Sequence, residues 1–430
     1  PEFNSPWPNE WRAEALPLMT CYGLLQGWDG LLYFHYRPDE TALSFFGNQS
    51  DPVRWGQVPM AALAFQRQDV STAHTTVHIG ISAVDRVSAR PRNTGDRYSP
   101  YRVLPYLCRI RNAHFEEAYT GTADVVIASG HSAHGDYSRA RRAVVFADWP
   151  CPDPLGLVTD RGRSVRDTVP EVRTHPAPPP YDTEIDNRFL PPDFEPFRIY
   201  DRTPGAVSDR FVLFPCAAAL QNEHGDSWLH RGYLELARGW QLPGTAPLHE
   251  AGRIYRSDTG ELVLDRDAGI FTAVTPRTCI AAGFLGPAER LPLGDIDVDC
   301  ETPFASISVV AMENAAIGRA RRLLLTAVAR AENTGQAQLR STERTGGGFD
   351  ADTGLAFVND RSSLAEPGRL PVLAEPVIAR VHLPGPPLRA WALGPGGEKR
   401  QELRSTRENG RTVIYTEQAH SPWILLSRIQ

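Results

Sequence analysis

Residues 1–36, PEFNSPWPNEWRAEALPLMTCYGLLQGWDGLLYFHY, decide how the rest of the chain is read. An acidic residue, Glu2, stands where a strand would end, and a loop, a helical stretch and a short strand come after it. Apolar residues at Trp11, Ala15, Leu18, Met19, Tyr22 and Leu25 recur with the spacing of one helix face, and 31–36 has the composition of a strand. Strand, helix and strand in that order make one β/α unit with the next strand attached. Such units build the (β/α)8 barrel, whose chemistry sits at the C-terminal ends of its strands. Glu2 and Tyr36 would both lie there, so the sequence predicts a mixed α/β remnant of a TIM barrel over residues 1–75.

Outward from this stretch the period changes. Asp51-Pro52 predicts a helix running to about Phe65, with Pro52 in the first turn and Asp51 as its cap. Residues 75–82 (TTVHIGIS) alternate as a strand does, and 123–129 (ADVVIAS) and 142–147 add short strand-like runs. Residues 76–198 are therefore expected to be a mixed α/β continuation. It closes in a surface connection rich in proline, with Pro176, Pro178, Pro179, Pro180, Pro191, Pro192 and Pro196. From 199 the pattern reads as all β. Strands are expected near 210–215, 262–265, 270–274, 305–312 and 322–330, giving a β-sandwich-like domain over 199–365. A turn-rich boundary at 366–371 then leads to a small C-terminal β-sandwich over 366–430. Asp295, Asp297 and Asp299 alternate with Ile296 and Val298, as in a half-exposed strand.

Composition narrows the partners. A net charge of -6 and an isoelectric point near 6.1 argue against nucleic acid, which needs clustered positive charge. No apolar run is long enough to cross a bilayer, and the opening residues lack the regions of a secretion signal. Lys399 is the only lysine among 45 basic residues, the usage of a GC-rich bacterial genome. Six cysteines, Cys21, Cys108, Cys151, Cys216, Cys279 and Cys300, are scattered without a CxxC pair, so neither a zinc site nor another cofactor is expected. Cys21 falls on the apolar side of the first helix and reads as a small core residue.

The motif Glu2-Phe3-Asn4 resembles the end of strand 7 in retaining glycoside hydrolases built on a (β/α)8 barrel, where a glutamate is the nucleophile. The likeness continues through Pro6-Trp7-Pro8-Asn9, Arg12-Ala13-Glu14, Leu25-Gln26-Gly27-Trp28-Asp29-Gly30 and Pro59-Met60-Ala61-Ala62-Leu63-Ala64-Phe65. Farther on, Ser257-Asp258-Thr259-Gly260-Glu261, Thr275-Pro276-Arg277-Thr278 and 323–335 resemble the β-rich C-terminal regions of large bacterial members of the group. The resemblance implies that Glu2 is the nucleophile and that Asn4, Trp7, His35 and Tyr36 contact a poly- or oligosaccharide. Strands 1 to 6 have no counterpart here, nor has the general acid/base of strand 4, so the chain alone is expected to be inactive. Glu10 and Glu14, four apart on one helix, are expected to be solvated or to favour the helix start. Trp28 and Asp29 are expected to serve packing and turn formation.

Two other readings stay open. The β domains would make a non-catalytic carbohydrate-binding or structural module if exposed aromatic side chains bind glycan without cleaving it. Gly130-His131-Ser132-Ala133-His134, with Asp136 nearby, imitates the nucleophile elbow of an esterase using Ser132, although His134 stands where the turn needs a second glycine. Gly346 to Gly348 lack the lysine and helix of a phosphate loop.

Overall fold

The runs TCIAAG, ASISVVA and RLLLTAV hold apolar or small residues at nearly every position, the composition of strands covered on both faces. The fold covers them on both. A computed structural model describes residues 2–36, 41–82, 104–116, 118–128, 136–137, 139–141, 143–146, 211–214, 254–265, 268–286, 288, 290–339, 349–350, 355–356 and 363–429. Two compact units contain them. One joins 1–72 to 253–340 and 362–430, and the other joins 73–252 to 341–361.

The first unit opens with strand β1 (Glu2–Phe3), helix α1 (Ala15–Leu25) and strand β2 (Leu32–Tyr33). β1 and β2 pair in parallel, Glu2 opposite Leu32 and Phe3 opposite Tyr33, with α1 as the crossover between them. The strand expected over 31–36 is thus shorter than its composition suggests. Helix α1 buries Leu16, Thr20, Cys21, Leu24 and Leu25. It stops at Gly27, whose φ of 67° is the left-handed conformation that closes a helix, with Trp28 N–H returning to Gly23 O at 2.9 Å. The helix expected from Asp51 is two helices, α2 (Pro52–Gly56) and α3 (Val58–Gln66), and the Asp51 carboxylate caps α2 as expected. Among the described residues these two strands are the only parallel pair in the unit, and no closed barrel is present.

The remainder of this unit is one β-sandwich. Its large sheet runs β24 (Lys399–Leu403), β23 (Leu388–Leu393), β27 (Trp423–Arg428), β15 (Arg322–Val328), β14 (Ala305–Ala311), β11 (Thr278–Gly283), β10 (Ile270–Val274), β9 (Leu262–Asp265) and β8 (Ile254–Arg256). The small sheet runs β12 (Leu291–Leu293), β13 (Ile296–Cys300), β22 (Ala379–Leu383), β26 (Arg411–Tyr415) and β25 (Ser405–Glu408). Alternate residues such as Ala281, Ile307, Val309, Leu323 and Leu325 face the small sheet's Val298, Val381 and Ile414 in a single core. The segment 366–430 is therefore no separate sandwich: its strands join both sheets, β27 pairing with β15 and β22 with β13. Side chains of opposite parity, including Ser306, Thr326 and Val328, are buried on the other face of the large sheet. There Gln57 Oε1 accepts from Ser306 Oγ at 2.9 Å, and Gly56 O accepts from Trp423 Nε1 at 2.6 Å. Short antiparallel pairs β16 (Ala331–Thr334) with β21 (Arg369–Ala374), and β17 (Ala337–Leu339) with β20 (Ser363–Glu366), extend from this unit.

The second unit holds five parallel strands, β3 (Thr76–Ser82), β4 (Arg109–Phe115), β5 (Val125–Ala128), β6 (Ala143–Phe146) and β7 (Phe211–Phe214), in the order β4-β3-β5-β6-β7. All four pairings in it are parallel. Strand β7, expected from its sequence to open the all-β region, pairs with β6 instead. Among its described side chains, Phe115, Tyr119, Val126, Tyr137 and Ala140 form a small core. A further short pair, β18 (Phe349–Asp350) with β19 (Leu355–Ala356), belongs to this unit. No helix among the described residues is long and apolar enough to cross a membrane.

Candidate functional site

In β/α folds the loops at the C-terminal ends of parallel strands carry the functional groups, and here those ends are Asn4 after β1 and Phe34 to Tyr36 after β2. The chain returns over them in residues 41–50. Phe34 N–H donates to Phe3 O at 2.8 Å, Trp7 N–H to Phe45 O at 3.1 Å and Asn48 N–H to His35 O at 3.3 Å. The Asn4 side chain is fixed from both ends. Its Nδ2 donates to Phe46 O at 3.1 Å, and its Oδ1 accepts from Arg54 Nη1 at 3.1 Å.

Aromatic rings crowd this end. Phe34 stacks on His35 with centroids 4.9 Å apart and meets Phe46 edge-on at 5.1 Å. Phe45 meets Phe46 at 4.5 Å, and Tyr36 lies 5.8 Å from Trp55. Phe34, Tyr36, Phe45, Phe46 and Trp55 are all exposed, Tyr36 by 59%. Beneath them, Phe3 and Tyr33 stack at 5.5 Å. Burial pushes the Tyr33 hydroxyl well above the ordinary phenol range, and the nearby Arg54 only partly opposes that.

A buried ionic cluster supports the loop. Asp51, Arg12 and Arg54 have almost no exposed side-chain surface. Asp51 Oδ2 accepts from Arg12 Nε at 2.6 Å and from Arg54 Nε at 2.8 Å, while its Oδ1 accepts from Val53 N–H at 2.9 Å. Burial raises the Asp51 carboxyl, but the two guanidinium charges and these hydrogen bonds outweigh it and hold the group below the usual range. Arg54 spends its remaining donors on Asn4 and on the carbonyls of Phe45, Ser44 and Gly47. Arg12 reaches Asn9 O and Ala331 O, each at 2.8 Å. Two cations and one anion leave a net positive charge, which these carbonyl dipoles balance.

The residues expected at the site are divided by this geometry. The backbone of Glu2 lies in β1, and its side chain is outside the described residues. Asn4, His35 and Tyr36 come together at the strand ends. Trp7 does not join them: its ring is 5% exposed, packed with Ala13, Leu43, Val53 and Phe304, and its Nε1 donates to Gln336 Oε1 at 3.0 Å. It is a core residue, because its loop folds inward over the large sheet instead of outward. Glu14 caps nothing, is partly buried, and is raised from its ordinary value by that burial. Glu10 lies 3.7 Å from Arg330, beside a cavity of about 510 Å³ that Glu332 and Glu375 also line. The Trp28 ring packs on Gly23, as expected of a packing residue.

Other motifs also resolve. Asp297 and Asp299 share one face of β13, where Asp297 pairs with Arg411 and Asp299 binds Arg290 and His382. Cys21, Cys108, Cys279 and Cys300 are buried. Ser132 and its neighbouring histidines lie outside the described residues. No group of three His, Cys, Asp or Glu able to hold a metal ion occurs among the described residues.

Sequence reasoning missed Arg54, Asn48, Phe34, Phe46 and Trp55. The one available signal was that Phe45-Phe46-Gly47-Asn48 places aromatic and amide residues in a turn just before a capped helix. Comparison with family models, with curated proteins and with solved structures finds no match to this chain.

Proposed function

We propose that this chain is the C-terminal portion of a retaining glycoside hydrolase acting on a poly- or oligosaccharide, with Glu2 as nucleophile. The observation that carries the reading is the parallel β1-α1-β2 unit, with Asn4, His35 and Tyr36 gathered at the C-terminal ends of its strands. Retention requires a carboxylate that attacks the anomeric carbon and, about 5 Å away, a second carboxyl that protonates the leaving oxygen and later activates water. In this reading Glu2 is the first, Asn4 donates to sugar hydroxyls, and Tyr36 and His35 border the sugar. The second carboxyl comes from a preceding part of the same polypeptide. The chain by itself has no glycosidase activity.

The experiment is to clone the reading frame with its upstream sequence and assay the product on aryl glycosides and on a polysaccharide panel. Activity is expected, together with covalent labelling of Glu2 by a 2-fluoroglycoside. Glu2→Gln is expected to lower kcat at least about 10³-fold. An upstream frame that adds no barrel, or a product whose Glu2 is never labelled, would end the reading.

A further inference from the structure

We propose that Arg54 is a positioning residue, which fixes the Asn4 side chain as a hydrogen-bond donor and holds the end of β1, where the Glu2 backbone lies, in the geometry that turnover needs. The proposal rests on the hydrolase reading above and gives a role in it to a residue that reading leaves out. Arg54 is buried, so it acts through Asn4 and not on the substrate.

The partners of an amide fix its orientation, and here two partners give the same answer. A guanidinium only donates, so the Asn4 atom 3.1 Å from Arg54 Nη1 is the oxygen. A carbonyl only accepts, so the Asn4 atom 3.1 Å from Phe46 O is the nitrogen. Held this way, the amide presents its second Nδ2 hydrogen as a donor, which is the role the hydrolase reading gives it. Asn4 is partly exposed and open to solutes, in contrast to the arginine that holds it.

The same guanidinium spans three parts of the chain. Its Nε donates to the Asp51 carboxylate, the cap of α2, at 2.8 Å. Nη1 reaches Asn4 and, at 3.4 Å, Phe45 O, while Nη2 reaches Ser44 O at 3.0 Å and Gly47 O at 2.7 Å. One planar group with all its donors engaged therefore sets the spacing between the α2 cap, the loop 44–47 and the residue two beyond Glu2. Phe3, between Glu2 and Asn4, accepts from Phe34 N–H at 2.8 Å, so the ends of β1 and β2 share this frame. A lysine at position 54 keeps the charge beside Asp51, but its three donors sit on one atom and cannot span these partners. A misplacement of about 1 Å beside reacting groups costs about 10²-fold in rate.

Arg12 supplies the control. It is buried against the same Asp51 carboxylate, with Nε at 2.6 Å, and its other donors go to Asn9 O and Ala331 O. Replacing either arginine disturbs one shared ion cluster, yet among the described residues it is Arg54 that bonds Asn4 and the loop 44–47.

The test compares Arg54→Lys with Arg12→Lys in two measurements. First, the 430-residue chain is labelled with nitrogen-15 asparagine, and the Asn4 carboxamide signal, identified by its loss in Asn4→Ala, is followed by NMR. In the unsubstituted chain this amide is expected to exchange its hydrogens at least about tenfold more slowly than free asparagine. Arg54→Lys is expected to shift the signal and to remove most of that protection, and Arg12→Lys to leave the exchange rate within about twofold. Second, turnover of the upstream-extended product is normalised to the sites titrated by a 2-fluoroglycoside, so that loss of folded protein drops out. Arg54→Lys is expected to lower kcat about 10²-fold with KM changed less than about threefold, and Arg12→Lys to lower kcat by less than about threefold. Exchange of the unsubstituted Asn4 amide at the free rate would overturn the proposal without recourse to any variant. So would an Asn4 signal untouched by Arg54→Lys, or equal loss of kcat per titrated site in the two variants. Failure of the hydrolase reading is seen separately, as absence of Glu2 labelling in the unsubstituted extended product, and the NMR comparison then still decides whether Arg54 sets the Asn4 amide.

Discussion

Asp51 shows how one side chain does several jobs. Its Oδ1 caps α2, a role readable from Asp-Pro before an apolar run. Its Oδ2 holds Arg12 and Arg54, which no local pattern announces because one of those partners is 39 residues away. Asp51→Asn leaves two buried guanidinium groups without their counter-charge and is expected to cost about 3–5 kcal/mol in urea unfolding. The pH dependence has a definite sign. The folded carboxyl lies below its ordinary value of 3.8, so its contribution is complete above that value and is lost as pH falls through the depressed one. Asp299 behaves alike: partial burial raises it, but hydrogen bonds from Arg290 and His382 together with their charges bring it below 3.8. Unfolding midpoints measured against pH are therefore expected to hold level above about pH 5 and to drop below about pH 4. The thiols make a second residue-scale test. Burial pushes Cys279 up to about 12 and Cys300 up to about 11, and raises Cys21 further. Iodoacetamide at pH 8 is expected to spare these three in the native protein and to modify them in denaturant, as read by peptide mass.

At the scale of elements, what was readable was local. The helix at α1, the cap of α2 and the strands at 262–265, 270–274, 305–311 and 322–328 follow from period, turn residues and β-branched content. The partner of each strand did not follow, since hydrogen bonding between strands records contacts distant in sequence. β7 looks like any short apolar strand until β6 lies beside it, and β23 and β27 read as strands of a separate small sandwich until β15 takes the edge of β27. The candidate site divided in the same way. Asn4, His35 and Tyr36 lie next to strand ends, so adjacency in sequence placed them, whereas the inward turn of Trp7 and the reach of Arg54 depend on the packing of the whole unit. The seat of α2 on the large sheet is tight. A Cβ added at Gly56 would lie 2.9 Å from Pro422 Cβ and 3.1 Å from a Val328 methyl. Gly56→Val is expected to destabilise the protein by about 1–3 kcal/mol in thermal or urea unfolding.

At the scale of the whole molecule, each unit has its own core, so calorimetry is expected to resolve more than one transition. Asp51→Asn should lower one of them, and Val126→Ala, in the core of the parallel sheet, the other. The double burial of β11, β14 and β15 also sets a timetable for synthesis. The helices that cover the outer face of that sheet leave the ribosome with residues 1–72, whereas the strands they cover are made only after residue 277. At roughly 5–20 residues per second, the apolar sides of α1 and α3 wait on the order of ten seconds or more for their partner. During that interval residues 73–252 of the second unit are translated. The nascent chain thus carries an unsatisfied hydrophobic flank through roughly half of the synthesis of these 430 residues, an interval in which exposed apolar surface is open to aggregation. A slowed ribosome would lengthen the wait and lower the yield of folded protein, with no change to any residue.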